Sequence, residues 1–171
     1  YLALAATAQV VGDRAAQDAA IETALRLADT CSDGERNGFK AHIRAWLLKA
    51  QSREPRRLGN AKDDDAVVAE AAANGSPDVH TMALLAAGQL AGRRGESARA
   101  ERLARDAVDV ANRAGLHADE AEALHHLANL VAYRGEFAAT VPMFQRALAA
   151  LDLAPVRRRP LGRRATVTGQ Y

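Results

Sequence analysis

A motif that recurs at a fixed interval is the feature of this sequence that most constrains its fold. Each copy has a glycine, an acidic residue and further residues at set distances: Gly95-Glu96 with Ala100 and Ala107, Gly135-Glu136 with Thr140 and Ala147, and Gly12-Asp13 with Ile21 and Ala24. A glycine–acid pair followed by small residues suits a tight turn between two closely packed helices. The interval of forty residues between the last two copies predicts a stacked array of helix pairs.

Apolar residues precede the last two turns with helical spacing. They fall at i, i+3, i+4 and i+7: Leu84, Ala87, Gly88 and Ala91 in one copy, and Leu124, Leu127, Ala128 and Val131 in the next. This spacing places them on one stripe of an amphipathic helix. The sequence shows no strand-like alternation and no apolar run of the length that crosses a bilayer. We therefore expect an all-α chain that has no membrane partner.

A further helix pair is expected in the two periods between the copies at 12 and 95. Its first helix is predicted over 39–50, and a polar loop at 52–60 replaces the usual turn. Asp63-Asp64-Asp65 then favours the start of a second helix. The prediction is about four pairs, the second of them irregular, at residues 1–31, 35–75, 78–115 and 118–153.

The repeat resembles the tetratricopeptide repeat. Residues that match the family's signature are Gly88, Gly95, Ala100 and Ala107 in one copy, and Ala128, Gly135, Phe144, Ala147 and Pro155 in the next. The interval is longer than the family's 34 residues, and such lengthened repeats look like those in the sensor arms of bacterial transcriptional regulators, including actinomycete ones. The resemblance implies a right-handed α-solenoid that binds a protein or peptide, as the sensing segment of a larger cytoplasmic bacterial protein whose upstream part precedes Tyr1.

In the family the first helix of each pair lines a concave groove. The resemblance therefore assigns six groove residues to this chain: Gln89, Arg93, His125, Asn129, Tyr133 and Trp46. Asn129 occupies the position where peptide-binding members often place an asparagine that holds the ligand backbone. Leu85 also maps to a groove position. We expect the partner to be a protein, a peptide or another domain of the same protein, and the alternative is that these are ordinary solvated side chains.

The charge is unevenly distributed along the chain. The formal net charge is +2, but residues 156–171 carry five arginines and no acid, so residues 1–155 carry −3. Within residues 155–166, two prolines, a glycine and the lack of an apolar period predict that the basic tail is disordered. A second hypothesis is therefore a nucleic-acid-associated protein that contacts phosphates through the tail. The competing interpretation is a solvated terminus or linker.

Candidate catalytic residues are sparse, and we expect no enzyme, no cofactor and no metal. Glu122 and His125 have the spacing of half a di-iron site, but the sequence holds no second Glu-x-x-His. A metal-dependent enzyme that uses these residues with His126 is the least favoured alternative. The single cysteine, Cys31, excludes an internal disulfide and agrees with a reducing cytoplasm.

Overall fold

A computed structural model of the chain describes residues 13–53 and 59–155. Seven helices account for all regular secondary structure in these ranges: α1 (Arg14–Ala28), α2 (Asp33–Ser52), α3 (Ala61–Asn74), α4 (Pro77–Arg93), α5 (Ser97–Arg113), α6 (His117–Tyr133) and α7 (Phe137–Leu153). The all-α prediction is confirmed for this part of the chain. The first helix of the first predicted pair, the middle of the polar loop and the arginine-rich tail lie outside the described residues.

Glycine ends α4, α5 and α6 for a conformational reason. Gly95, Gly115 and Gly135 have φ values of 81°, 66° and 84°, which side-chain-bearing residues rarely adopt. At the first of these turns the Glu96 amide donates to Ala91 O at 2.9 Å and the Gly95 amide donates to Gly92 O at 3.0 Å. This hydrogen-bond pair satisfies the last carbonyls of the helix and reverses the chain. The recurring glycine in the sequence therefore marks where each of these three helices stops.

The irregular second pair also starts its helices by capping. Ser32 and Glu35 form a reciprocal capping box at the start of α2. At α3 the Asn60 side chain accepts a hydrogen bond from the Asp63 amide at 2.9 Å, so the helix begins at Ala61. That is two residues before the acidic run that was predicted to start it. The three aspartates of that run differ in solvent exposure: Asp64 is fully buried, and the other two are exposed.

Each helix contacts the next one along the chain, and α4 also contacts both α2 and α6. The first helices of the last three predicted pairs therefore lie side by side. One apolar cluster extends from Leu48 in α2 to Leu151 in α7 and consists largely of alanine. A smaller cluster joins α1 to α2 around Ile21 and Ile43. Small side chains allow close helix approach, which is why so few aromatic residues are needed to fill the core.

Glycines on α4 meet α6 directly. A methyl group placed on Gly88 would lie 3.6 Å from His126 Nε2, and one placed on Gly92 would lie 3.7 Å from Leu130 Cδ2. These two glycines are one helical turn apart, so they form a small-residue stripe against which α6 packs. In the α4–α6 contact, side chains of α6 thus pack against the backbone of α4 at Gly88 and Gly92.

Ion pairs connect consecutive hairpins through an arginine in each turn. Arg94 donates to Asp64 of α3 at 2.5 Å and to Glu96 of its own turn at 2.7 Å. Forty residues later, Arg134 pairs with Glu101 of α5 and with Glu136 of its own turn. Asp64 and Glu101 are buried acids in the first two turns of their helices. The turn of one hairpin is therefore held to the preceding hairpin by a charge-assisted contact.

Arg99 completes the charged cluster around Asp64. It donates to Asp65 at 2.6 Å and to the Ala61 carbonyl at 3.1 Å, so the start of α3 is held against α5. Burial raises the pKa of Asp64, although the Arg94 and Arg99 guanidinium groups oppose that effect. The cluster therefore fixes the position of the irregular helix α3.

The helices of the described ranges do not include one long and apolar enough to cross a membrane.

Candidate binding surface on α2, α4 and α6

Two of the predicted groove residues, Gln89 and Arg93, lie one turn apart on α4 and face the end of α2. Gln89 Oε1 is 2.8 Å from Ser52 Oγ, and Arg93 Nη2 donates to the Gln51 carbonyl at 3.2 Å. These contacts satisfy polar groups at the carboxyl end of α2, where backbone carbonyls lack helical partners. Gln89 and Arg93 thus contribute to the α2–α4 contact as well as to the surface.

Three more predicted groove residues follow each other along α6 at intervals of four: His125, Asn129 and Tyr133. Asn129 Nδ2 lies 3.2 Å from His125 Nε2, and an amide nitrogen can donate there only to an unprotonated imidazole nitrogen. The His125 ring also lies 6.1 Å from the Phe144 ring of α7, tilted by 48°. Tyr133 is 90% exposed. The row on α6 therefore begins with His125 and Asn129, whose side chains contact each other, and ends with the solvent-exposed side chain of Tyr133.

His126, next to this row, points the other way, toward α4. Its Nε2 atom is buried without a hydrogen-bond partner among the described residues. Burial lowers the pKa of His126, and the neighbouring His125 adds to the effect. His126 is therefore a packing residue of the α4–α6 contact, and the neutral imidazole is the form that this contact favours.

Trp46 is in a different environment from the other five residues. It is half-buried and packs against the apolar cluster of α1 and α2 around Ile21 and Ile43. Leu85, which the family resemblance also placed in the groove, is buried in the main core. The structure thus gathers Gln89 and Arg93 at the end of α2, and it aligns the other three along α6.

Sequence reasoning missed Ser52 and Gln51, which carry the polar contacts of α2 to α4. The register of the second pair could not be fixed from the sequence because its turn is replaced by a loop. The one available signal was the polar Ser52 at the end of an otherwise apolar helix stripe.

Two surface cavities border the helices. One, of about 400 Å³, lies between α3, α4 and α5 and includes His80 and Arg113 in its lining. The other, of about 350 Å³, lies between α2 and α3 and includes Arg44 and Asn60. Burial lowers the pKa of His80. Neither of these two cavities is lined by the six predicted groove residues.

The polar groups on this surface suit recognition by hydrogen bonding. Within residues 13–53 and 59–155, His, Cys, Asp and Glu side chains do not gather in threes at metal-binding distance. Amide, guanidinium, imidazole and phenol groups can donate and accept hydrogen bonds along an extended ligand. An exposed tyrosine offers in addition a rigid aromatic face that loses little entropy on binding.

Comparison with known proteins gives no match: no family model, no curated protein and no solved structure is similar to this chain at a significant level.

Proposed function

We propose that this chain is a non-catalytic scaffold of tetratricopeptide-like helix pairs that binds an extended segment of another protein. The supporting observation is that α2, α4 and α6 lie side by side while α6 presents His125, Asn129 and Tyr133 in one row. A right-handed solenoid would turn this row of first helices toward its concave side. The partner is a peptide, a protein surface or another domain of the same protein.

The energetic basis would be shape and hydrogen bonding on a preformed surface. The His125–Asn129 contact holds both side chains in place before a ligand arrives, and preorganisation lowers the entropic cost of binding. Tyr133 and Arg93 belong to the residue types that most often dominate binding energy at interfaces. For a modest surface of this kind we expect a Kd of about 1 µM, which is about −8 kcal/mol.

We further propose that the chain works in the cytoplasm of a bacterium as the interaction segment of a regulator. The repeat interval, the single cysteine and the excess of arginine over lysine support this assignment. Ligand binding would stiffen an alanine-rich array and so transmit a signal to an adjoining domain.

A peptide-display selection tests the binding proposal. Random 16-residue peptides would be selected on the immobilised full chain, and the enriched peptides would be measured by fluorescence anisotropy against a variant with Asn129→Ala and Tyr133→Ala. We expect at least a tenfold loss of affinity. A matched control with Arg102→Ala and Asp109→Ala alters two exposed residues of α5 and should bind as the wild type does.

Two outcomes would count against the proposal. One is that no peptide is enriched above background, and the other is that enriched peptides bind the α6 variant and the wild type equally. Binding that disappears when residues 156–171 are removed would instead support the arginine-tail hypothesis, in which case single-stranded RNA of random sequence is the next probe.

A further inference from the structure

The cavity between α3, α4 and α5 lies where the next repeat is closed by an ion pair. Under the forty-residue repeat, His80 of α4 corresponds to Glu120 of α6, and Asp106 of α5 corresponds to Arg146 of α7. Arg146 donates to the buried Glu120 carboxylate from Nη2 at 2.6 Å and from Nε at 3.0 Å. This charge-assisted pair closes the junction between α6 and α7.

The same position stays open between α4 and α5. Asp106 is exposed, and within the described part of the chain it acts on the half-buried His80 through its charge alone. A cavity of about 400 Å³ therefore remains between these helices and α3, with His80 and Arg113 in its lining. Its other lining residues are apolar or small: Ala72, Gly75, Pro77, Val110 and Ala114. A concave, mostly apolar site of this size with few polar groups is typical of small-molecule pockets.

Arg113 supplies a positive charge at the edge of the cavity. Its Nε atom donates to the Asp109 carbonyl at 3.1 Å, which holds the guanidinium along α5. Within residues 13–53 and 59–155, neither Nη atom of Arg113 has a hydrogen-bond or ion-pair partner. A guanidinium presents parallel N–H donors that fit the two oxygens of a carboxylate. Leucine stands at the equivalent position of α7, Leu153, so this charge is particular to the cavity beside α5.

His80 is the second polar group of the lining. Burial lowers the pKa of its imidazole, while Asp106 opposes that effect and Arg113 adds to it. The ring is therefore mostly neutral at pH 7, and a neutral imidazole has one N–H to donate. A carboxylate bound beside the ring would accept that hydrogen bond and would favour the protonated form. Ligand binding should therefore raise the pKa of His80.

We propose that this cavity binds a small monocarboxylate with an apolar body. Arg113 pairs with the carboxylate, His80 donates a hydrogen bond to it, and the apolar wall receives the hydrocarbon part. An inorganic anion would leave that wall in contact with water, and a neutral apolar molecule would leave the guanidinium without a partner. The cavity shares no lining residue with the row on α6, so the proposal is independent of the proposed peptide surface.

NMR titration of the isotope-labelled full chain with three acids tests the proposal. The probes are phenylacetate, hexanoate and 3-methylbutanoate, and the primary amide of the tightest-binding acid serves as its neutral analogue. We expect a Kd on the order of 1 mM, so titration to about 20 mM covers the binding curve. The backbone amide signals of Gly75 and Ala114 should shift, and the His80 ring should titrate at higher pH with the acid bound. The neutral analogue should bind at least tenfold more weakly.

Two variants separate the charge of the cavity from its space. Arg113→Leu installs the residue that α7 has at the equivalent position, and it should weaken binding of the acid at least tenfold with little effect on the neutral analogue. Arg102→Leu, at an exposed arginine of the same helix, is the matched control and should bind as the wild type does. The double variant His80→Glu and Asp106→Arg rebuilds the ion pair of the next repeat across the cavity. It should abolish binding and leave the far-UV circular dichroism unchanged.

Several results would overturn the proposal. One is that none of the three acids shifts the amide signals that border the cavity. Others are equal affinity for the acid and its neutral analogue, or undiminished binding to the Arg113→Leu variant. Shifts centred on α6 instead of on the cavity would also overturn it, since they would assign the acid to the other surface.

Discussion

Replacing glycine by alanine at two positions seven residues apart should change stability in opposite directions. Gly88 lies inside α4, where glycine costs about 1 kcal/mol relative to alanine. A methyl group there would meet Leu103 Cβ and Ala100 O at 3.5 Å and His126 Nε2 at 3.6 Å, which are ordinary van der Waals distances. The equivalent residue of the next hairpin is already Ala128. Gly88→Ala should therefore stabilise the protein by about 1 kcal/mol.

Gly95→Ala should do the reverse, although the space around it is empty. A methyl group on Gly95 would meet nothing within 4 Å, so packing gives no reason for a loss. Its φ of 81°, however, places the residue in the left-handed region, which costs an L-residue about 1–2 kcal/mol. The same chemical change is thus expected to differ by about 2–3 kcal/mol between the two positions.

Urea unfolding followed by far-UV circular dichroism would measure both effects. The slope of the free energy against urea should stay the same in wild type and variants, which shows that the same surface is exposed on unfolding. A thermal scan should show opposite shifts of roughly 2–4 °C per kcal/mol for a chain of this size. A destabilised Gly88→Ala variant would refute the reasoning, because it would mean that α4 lies closer to α5 or to α6 than these distances allow. A neutral Gly95→Ala variant would refute the assignment of the turn conformation.

Further predictions concern two ion pairs and His126. Asp64→Ala should destabilise the protein by about 3 kcal/mol in urea unfolding, because it removes the buried carboxylate that pairs with Arg94, whose side chain is 11% exposed. Removing Glu70, whose Arg44 partner is 61% exposed, should cost less than 1 kcal/mol, so equal costs would contradict the prediction. For His126, burial lowers the pKa in the folded state, so the unfolded state binds a proton more readily. The stability of the protein should therefore fall as the pH is lowered from about 7 through 6.5. In thermal scans, His126→Gln should make the melting temperature less dependent on pH. If the variant and the wild type show the same pH dependence, other groups are its cause.

The sequence was most informative where the repeat is regular. Helices α4 to α7 and their turns could be predicted because glycine and apolar spacing are local signals, and α5 ends at Arg113 within the third predicted pair. The sequence was less informative at the second pair. Phe39, the first residue of the helix predicted over 39–50, is half exposed, and the polar loop hides the register of Ser52 against Gln89.

Contacts between hairpins could not be derived from periodicity. Asp64 was interpreted as a helix-start residue, whereas the structure buries it against Arg94, thirty residues later in the chain. A repeating pattern specifies which residues face inward on one helix, but it does not specify which residue of the next hairpin they meet. The one usable trace was an arginine before glycine and a glutamate after it in both turns, at Arg94 and Arg134.

The turn arginines also fix the order in which hairpins can follow one another. Arg94 and Arg134 each depend on an acid supplied by the hairpin before them. A tandem duplication of the α6–α7 hairpin would place its second turn arginine opposite Val141, where no carboxylate is available. Such an insertion would therefore leave the duplicated arginine with Glu136 of its own turn but without an acid from the preceding hairpin, whereas duplication of the α4–α5 hairpin would present Glu101 to Arg94. A copy of the interior hairpin therefore keeps the ion pair between neighbouring hairpins, whereas a copy of the last described hairpin loses it.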